Sequence, residues 1–130
     1  MAWDAVRPAL ALRLDEAEVE LLVRADQGDA RAQAEVGALF ALAALRDAKA
    51  AAPSNLGGGS AMPALHFLTR AAEQGEADAM HWLGLLHAAG LGESGDGDAL
   101  ALMWVARAAA HGHAIAARQL AGLLPAAAAV

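Results

Sequence analysis

One pattern occurs three times and constrains the fold more than any other feature. It reads Ala25-Asp-Gln-Gly28-Asp-Ala30-Arg-Ala32, then Ala72-Glu-Gln-Gly75-Glu-Ala77-Asp-Ala79, then Ala109-Ala-His-Gly112-His-Ala114-Ile-Ala116. The match continues through Val36-Gly37 and Leu39, Leu83-Gly84 and Leu86, and Leu120-Ala121 and Leu123. Spacings are 47 residues from Gly28 to Gly75 and 37 from Gly75 to Gly112, so the first interval carries an insertion of about ten residues. Pro53-Ser-Asn-Leu-Gly-Gly-Gly-Ser60 is its natural location. A repeat of this period means a stack of similar supersecondary units.

Each repeated residue has a mechanical reason. Glycine ends a helix cheaply in the left-handed conformation, which a Cβ penalises. A second helix begins almost at once after Gly28, Gly75 and Gly112, so the two must lie antiparallel as a hairpin. Small residues at Ala32/Ala79/Ala116 and Gly37/Gly84/Ala121 suit close backbone approach. Val36/Leu83/Leu120 and Leu39/Leu86/Leu123 fall at the spacing of a buried stripe. These signals predict six helices, over about 15–26, 30–50, 62–74, 77–89, 97–111 and 114–124. Asp15 with Glu18 forms a capping box, Pro63 suits the first turn of the third helix, and Asp96 or Asp98 caps the fifth.

Composition agrees. Of 130 residues 39 are alanine, there is no Cys or Tyr, and β-branched residues are few, which favours helix over strand and makes the class all-α. An Ala-rich core buries little area per contact, so stability must come from many helix contacts in series. Basic residues are Arg except for Lys49, a usage typical of a GC-rich bacterial genome. A net charge of -6 with no basic cluster argues against nucleic acid. The start, Met1-Ala-Trp-Asp-Ala-Val-Arg-Pro8, lacks the basic and apolar regions of a signal peptide. The longest continuous apolar run, Val36 to Leu45, has 10 residues, short of the roughly 18 needed to span a bilayer. The absence of Cys is compatible with a reducing compartment, and a cytoplasmic setting is expected.

The repeated residues resemble the Sel1-like repeat family, relatives of the tetratricopeptide repeat. The second unit carries the resemblance best, with Ala77, Ala79, Leu83-Gly84, Gly90-Leu-Gly92, Asp96, Trp104-Val-Ala-Arg107-Ala-Ala109 and Gly112. His87 stands at the family's Tyr position. The first unit has Phe40 there, and Phe67-Leu68 at the family's Trp-Tyr position. The resemblance divides the chain into a half-unit 15–27, a unit 28–74 with its insertion near 50–61, a unit 75–111, a half-unit 112–124 and a tail 125–130. Residues 1–14 lie outside it. It implies a right-handed α-solenoid of antiparallel hairpins acting as a scaffold or adaptor without a cofactor.

Other motifs read more plainly as structure. Gly90-Leu-Gly92-Glu-Ser-Gly95 matches the G-x-G-x-x-G string, but a dinucleotide site needs that string between a strand and a helix. Here it follows a helix, and Glu93, Asp96 and Asp98 would repel phosphate. The run ending Gly59-Ser60 lacks the P-loop lysine. The acidic residues do not have EF-hand spacing. His81 and His87 are six apart, unlike the i, i+4 pair of a zinc helix. Ser54, Ser60 and Ser94 lie in Gly-rich loops without a nucleophile elbow. No catalytic, cofactor or metal residues are therefore expected, and an enzyme is the least favoured class. His87 is expected to pack as Tyr would, and Trp104 to lie in the core.

The expected partner is another protein or a peptide, not nucleic acid or a membrane. The resemblance implies that the first helix of each unit lines a concave wall. Counting from Gly37/Gly84/Ala121, as groove positions run in the tetratricopeptide relatives, gives Arg31, Ala34 and Ala38, then Asp78, His81 and Leu85, then Ile115 and Arg118. Trp82 fits equally a half-exposed binding anchor or packing against a neighbouring helix. Arg31, Asp78, His81, Trp82, Leu85 and Arg118 are thus the candidate partner-binding residues. A self-associating structural protein, such as a homodimer formed through helix 38–52 and the Leu123-Leu-Pro-Ala tail, is the alternative.

Overall fold

The computed structural model describes residues 16–49, 55–92 and 95–123, and all regular structure among them is helical. Six helices follow in order: α1 (Glu16–Asp26), α2 (Ala30–Lys49), α3 (Asn55–Glu73), α4 (Ala77–Ala88), α5 (Gly97–Ala110) and α6 (Ala114–Leu123). Each packs on the next, and α2 also touches α4. Residues 1–14, the tail 125–130 and Asp15 of the expected capping box lie outside the described residues.

The glycine turns set the boundaries. Gly28, Gly75 and Gly112 have φ of 105°, 94° and 89°, and Gly90 ends α4 the same way at 78°. At Gly75 the glycine N–H bonds the Ala72 carbonyl (2.9 Å) and the Glu76 N–H bonds Ala71 (3.1 Å). This paired closure satisfies carbonyls that the helix end would orphan, and it recurs at Gly28, Gly90 and Gly112. Asp29 caps α2, its Oδ1 accepting from the Ala32 N–H at 3.0 Å. Asp96 does stand at the N-cap of α5, but its side chain makes no capping hydrogen bond.

Five helices keep their expected bounds to within one residue, and α3 does not. It begins at Asn55, running through Gly57-Gly58-Gly59, so Pro63 sits inside the helix and not in its first turn. The expected loop near 50–61 is therefore helical from Asn55, while residues 50–54 lie outside the described part. Three glycines and a proline disfavour helix locally, so tertiary context must supply the rest. The pairs Gln33–Gln74, Gly37–Leu68 and Phe40–Phe67 run in opposite directions along α2 and α3. Continued, that step lays the first turns of α3 beside the last turns of the 20-residue α2.

The core is mostly alanine, with Phe40, Phe67, Leu22, Leu68, Leu83 and Leu86 as its large members. Phe40 and Phe67 stack with centroids 6.3 Å apart and planes 7° from parallel. Small residues sit where helices close in. A Cβ on Gly37 would meet Leu68 Cγ at 2.6 Å, and one on Gly84 would meet Val105 Cγ2 at 2.9 Å. Ala32, Ala79 and Ala116 are all buried, but Ala121, near the end of the last described helix, is exposed.

Two expectations about the buried stripe need correction. Leu86 is fully buried, but Leu39 is 47% exposed. The two helices have different neighbours: α4 packs on α2, α3 and α5, whereas α2 packs on α3, α4 and the 11-residue α1. Trp104 is half-buried against the core, not inside it, and the Arg107 guanidinium lies 5.1 Å from its ring centroid.

Candidate interaction surface

The first helices of successive hairpins, α2, α4 and α6, are linked by a chain of polar contacts. Arg31 on α2 donates to Asp78 Oδ2 on α4 at 2.9 Å and lies 3.5 Å from both Glu35 and Glu76. The other oxygen of Asp78 receives His113 Nε2 at 3.0 Å. The Arg31 hydrogen bond, with His113 assisting, holds the Asp78 carboxyl below the usual carboxylate range. His113 Nδ1 accepts from the Ala116 N–H at 3.1 Å, capping α6. Its proton therefore sits on Nε2, and one imidazole both starts α6 and ties it to α4.

His81 stacks on His113 at 4.5 Å, and its Nε2 donates to Gln119 Oε1 at 2.8 Å. The structure thus brings together three of the six candidate residues, Arg31, Asp78 and His81. It buries His81 among its partners, leaving Arg31 and Asp78 as the more accessible members. Arg118 is exposed on α6 and makes no hydrogen bond or ion pair to the described residues. Trp82 is half-buried and packed against the core. On the rest of the expected wall, Ala34 is buried and Ile115 is 54% exposed.

Leu85 opens onto a different feature. An apolar groove of about 520 Å³ lies between α4, α5 and α6, walled by Leu85 and Ala88, by Ala101, Leu102 and Val105, and by Gln119 and Gly122. Sequence reasoning missed it, although the repeat alignment held the signal, since α6 carries Gln119 and Gly122 where α4 carries Trp82 and Leu85. Also missed were His113 and the buried Gln33, which donates to the Ala25 carbonyl at 3.0 Å and accepts from Gln74 at 2.7 Å.

The G-x-G loop after α4 is explained by His87. A Cβ on Gly92 would run into the His87 imidazole, so the glycine lets the loop wrap the ring. Among the described residues no three His, Cys, Asp or Glu converge on a metal position. No helix among them is long and apolar enough to cross a membrane.

Burial also gives the protein an acid sensitivity. Desolvation pushes His66, His81 and His87 below their ordinary value of 6.5. The unfolded chain takes up these protons as pH falls through 6.5 while the folded one resists, so stability must fall with pH there. Asp29 and Asp78, held low, add a separate loss only as pH drops below 3.8. Thermal melts stepped from about pH 8 to about pH 5 should therefore decline below about pH 6.5; a flat profile would contradict the buried-histidine assignment.

Compared with known proteins, the chain matches no family model, no curated protein and no solved structure.

Proposed function

We propose that this chain is a protein-interaction module, a short right-handed solenoid of hairpins of the Sel1-like kind that takes a peptide or a partner's helix on the wall formed by α2, α4 and α6. The observation that carries the reading is the polar chain from Arg31 through Asp78 to His113, which links these three helices side by side. A linked wall of this kind is pre-organised, and pre-organisation lowers the ordering cost of binding. Arg118 and Ile115 supply an exposed cation and an exposed apolar group at its far end. The wall is thus suited to a ligand that carries a carboxylate and an apolar side chain. Cytoplasmic residence and an adaptor role belong to the same reading.

The test is selection of peptides from a random library on the purified protein, followed by binding to Arg31→Ala and Arg118→Ala variants of unchanged helicity. Enriched peptides should lose about tenfold or more in affinity on at least one variant, the size of a charge-assisted contact. Absence of enrichment, or peptides indifferent to both variants, removes the proposal. Exposed Leu39 and Leu42 on α2 favour a second reading, self-association through that face. Light scattering that finds a strict monomer at micromolar concentration eliminates it.

A further inference from the structure

The groove beside α6 has a counterpart one repeat earlier in the sequence, where larger side chains stand at the closing positions. The 37-residue offset of the second interval relates Trp82 to Gln119, Leu85 to Gly122, Leu65 to Leu102 and Leu68 to Val105. One wall is thus alike: Ala64, Leu65 and Leu68 on α3 answer to Ala101, Leu102 and Val105 on α5. What differs is the helix that closes it. α4 brings an indole and an isobutyl group, with Trp82 packed against the core and both side chains half-buried. α6 brings an amide, which hydrogen-bonds His81, and a hydrogen. The space that results is the 520 Å³ groove, in which Leu102 remains 40% exposed.

We propose that this groove is a receptor for a tryptophan side chain of the bound peptide, which takes the place that Trp82 holds in the preceding interval. The proposal rests on the interaction reading for the peptide that delivers the side chain. An indole suits the site on three counts. Its counterpart in the repeat, Trp82, answers to a position whose α3 wall is alike, although Ala38 on α2 takes the place of Leu85. Its large flat surface gains most from apolar contact at small conformational cost. Asp98 lines the same groove and offers a carboxylate to the indole N–H, a partner that a buried indole requires. The same carboxylate disfavours an acidic residue flanking the tryptophan. The occupant is therefore an aromatic anchor in a neutral or basic context.

The probe is N-acetyl-tryptophanamide, followed by amide chemical shifts in the full chain. Saturable shifts centred on Gly84, Leu102 and Gly122 are expected, with a dissociation constant on the order of 0.1–1 mM for a ligand of this size. N-acetyl-leucinamide should bind at least about fivefold more weakly. Gly122 has nothing within 4 Å of where its Cβ would lie, so Gly122→Leu can fill the groove as Leu85 does and should abolish the shifts. Gly122→Ala gains the same helix propensity without filling the space, and should keep them. Shifts that do not saturate, equal binding of the leucine probe, or shifts that survive Gly122→Leu overturn the proposal. So does dependence of the same resonances on protein concentration, which would make a second copy the occupant. Peptides that need Arg31 or Arg118 but not the groove would sink this inference and leave the interaction module standing. Probe binding without any selected peptide would remove the interaction module and, with it, the peptide that this inference needs.

Discussion

Phe67→Ala should cost about 3–5 kcal/mol, the range for truncating a fully buried phenylalanine. Phe67 is 1% exposed, stacked on Phe40 and met edge-on by His66 at 5.1 Å. The size of the effect follows from what surrounds it. Most core positions are alanines, each with a single methyl to bury, so the few large side chains carry a disproportionate share of the apolar area. Alanine neighbours also have no rotamers with which to collapse into the space left behind. Against a total stability of about 5–15 kcal/mol, such a loss is a third or more in the weaker half of that range. Urea denaturation should read the full effect, with a fall in melting temperature of about 10 °C or more. Leu39→Ala is the control, since Leu39 is 47% exposed and should change stability by under about 0.5 kcal/mol. Similar losses at the two sites would mean that the α2–α3 interface is not packed as described.

Gly84→Leu should destabilise by about 1–3 kcal/mol or more, against the sign that helix propensity gives. Gly84 lies inside α4, where glycine is disfavoured by about 0.5–1 kcal/mol relative to alanine. The offsetting gain is contact with α5. A Cβ at this position would meet Val105 Cγ2 at 2.9 Å and the Ala101 carbonyl oxygen at 3.3 Å. Neither yields easily, because valine is stiff at χ1 and the carbonyl belongs to a helix. Gly84→Ala isolates the first methyl and Gly122→Ala provides the contrast, for Gly122 meets nothing within 4 Å. Thermal melts should place Gly84→Leu below wild type and Gly122→Ala at or above it. If Gly84→Leu melts at or above wild type, the approach of α4 to α5 is not what selects glycine there.

These two positions show what a sequence can and cannot reveal. Gly84 was legible because close approach leaves a residue type as its trace, and a small residue recurring at helical spacing points to a neighbouring backbone. The helix ends at Gly28, Gly75 and Gly112 were legible for a similar reason, since a positive φ selects glycine directly. The start of α3 was not. Gly57-Gly58-Gly59 and Pro63 read locally as a loop, and local propensity does not account for the helix that runs through them. Leu39 and Leu86 look identical in the repeat, but exposure depends on what each helix packs against. Within the candidate surface, Arg31 and Asp78 could be placed on one face from their register. Their mutual ion pair could not, nor could the use of His81 by His113 and Gln119, because periodicity gives a face and not a partner.

The glycine closures described at Gly28, Gly75, Gly90 and Gly112 bear on how the chain reaches this state. Each reverses the backbone within a few residues, so every helix finds its main packing surface on the segment just before or after it. Loop closure between such neighbours is entropically light, and a topology of mostly short-range pairings folds fast for its size. The same locality makes loss of structure directional. A terminal helix can detach without dismantling the helices it packs on. α6 has no hairpin beyond it among the described residues, and its start is fastened to α4 through a single imidazole. The chain should therefore fray from that end first, with α2 and α3 the last to let go.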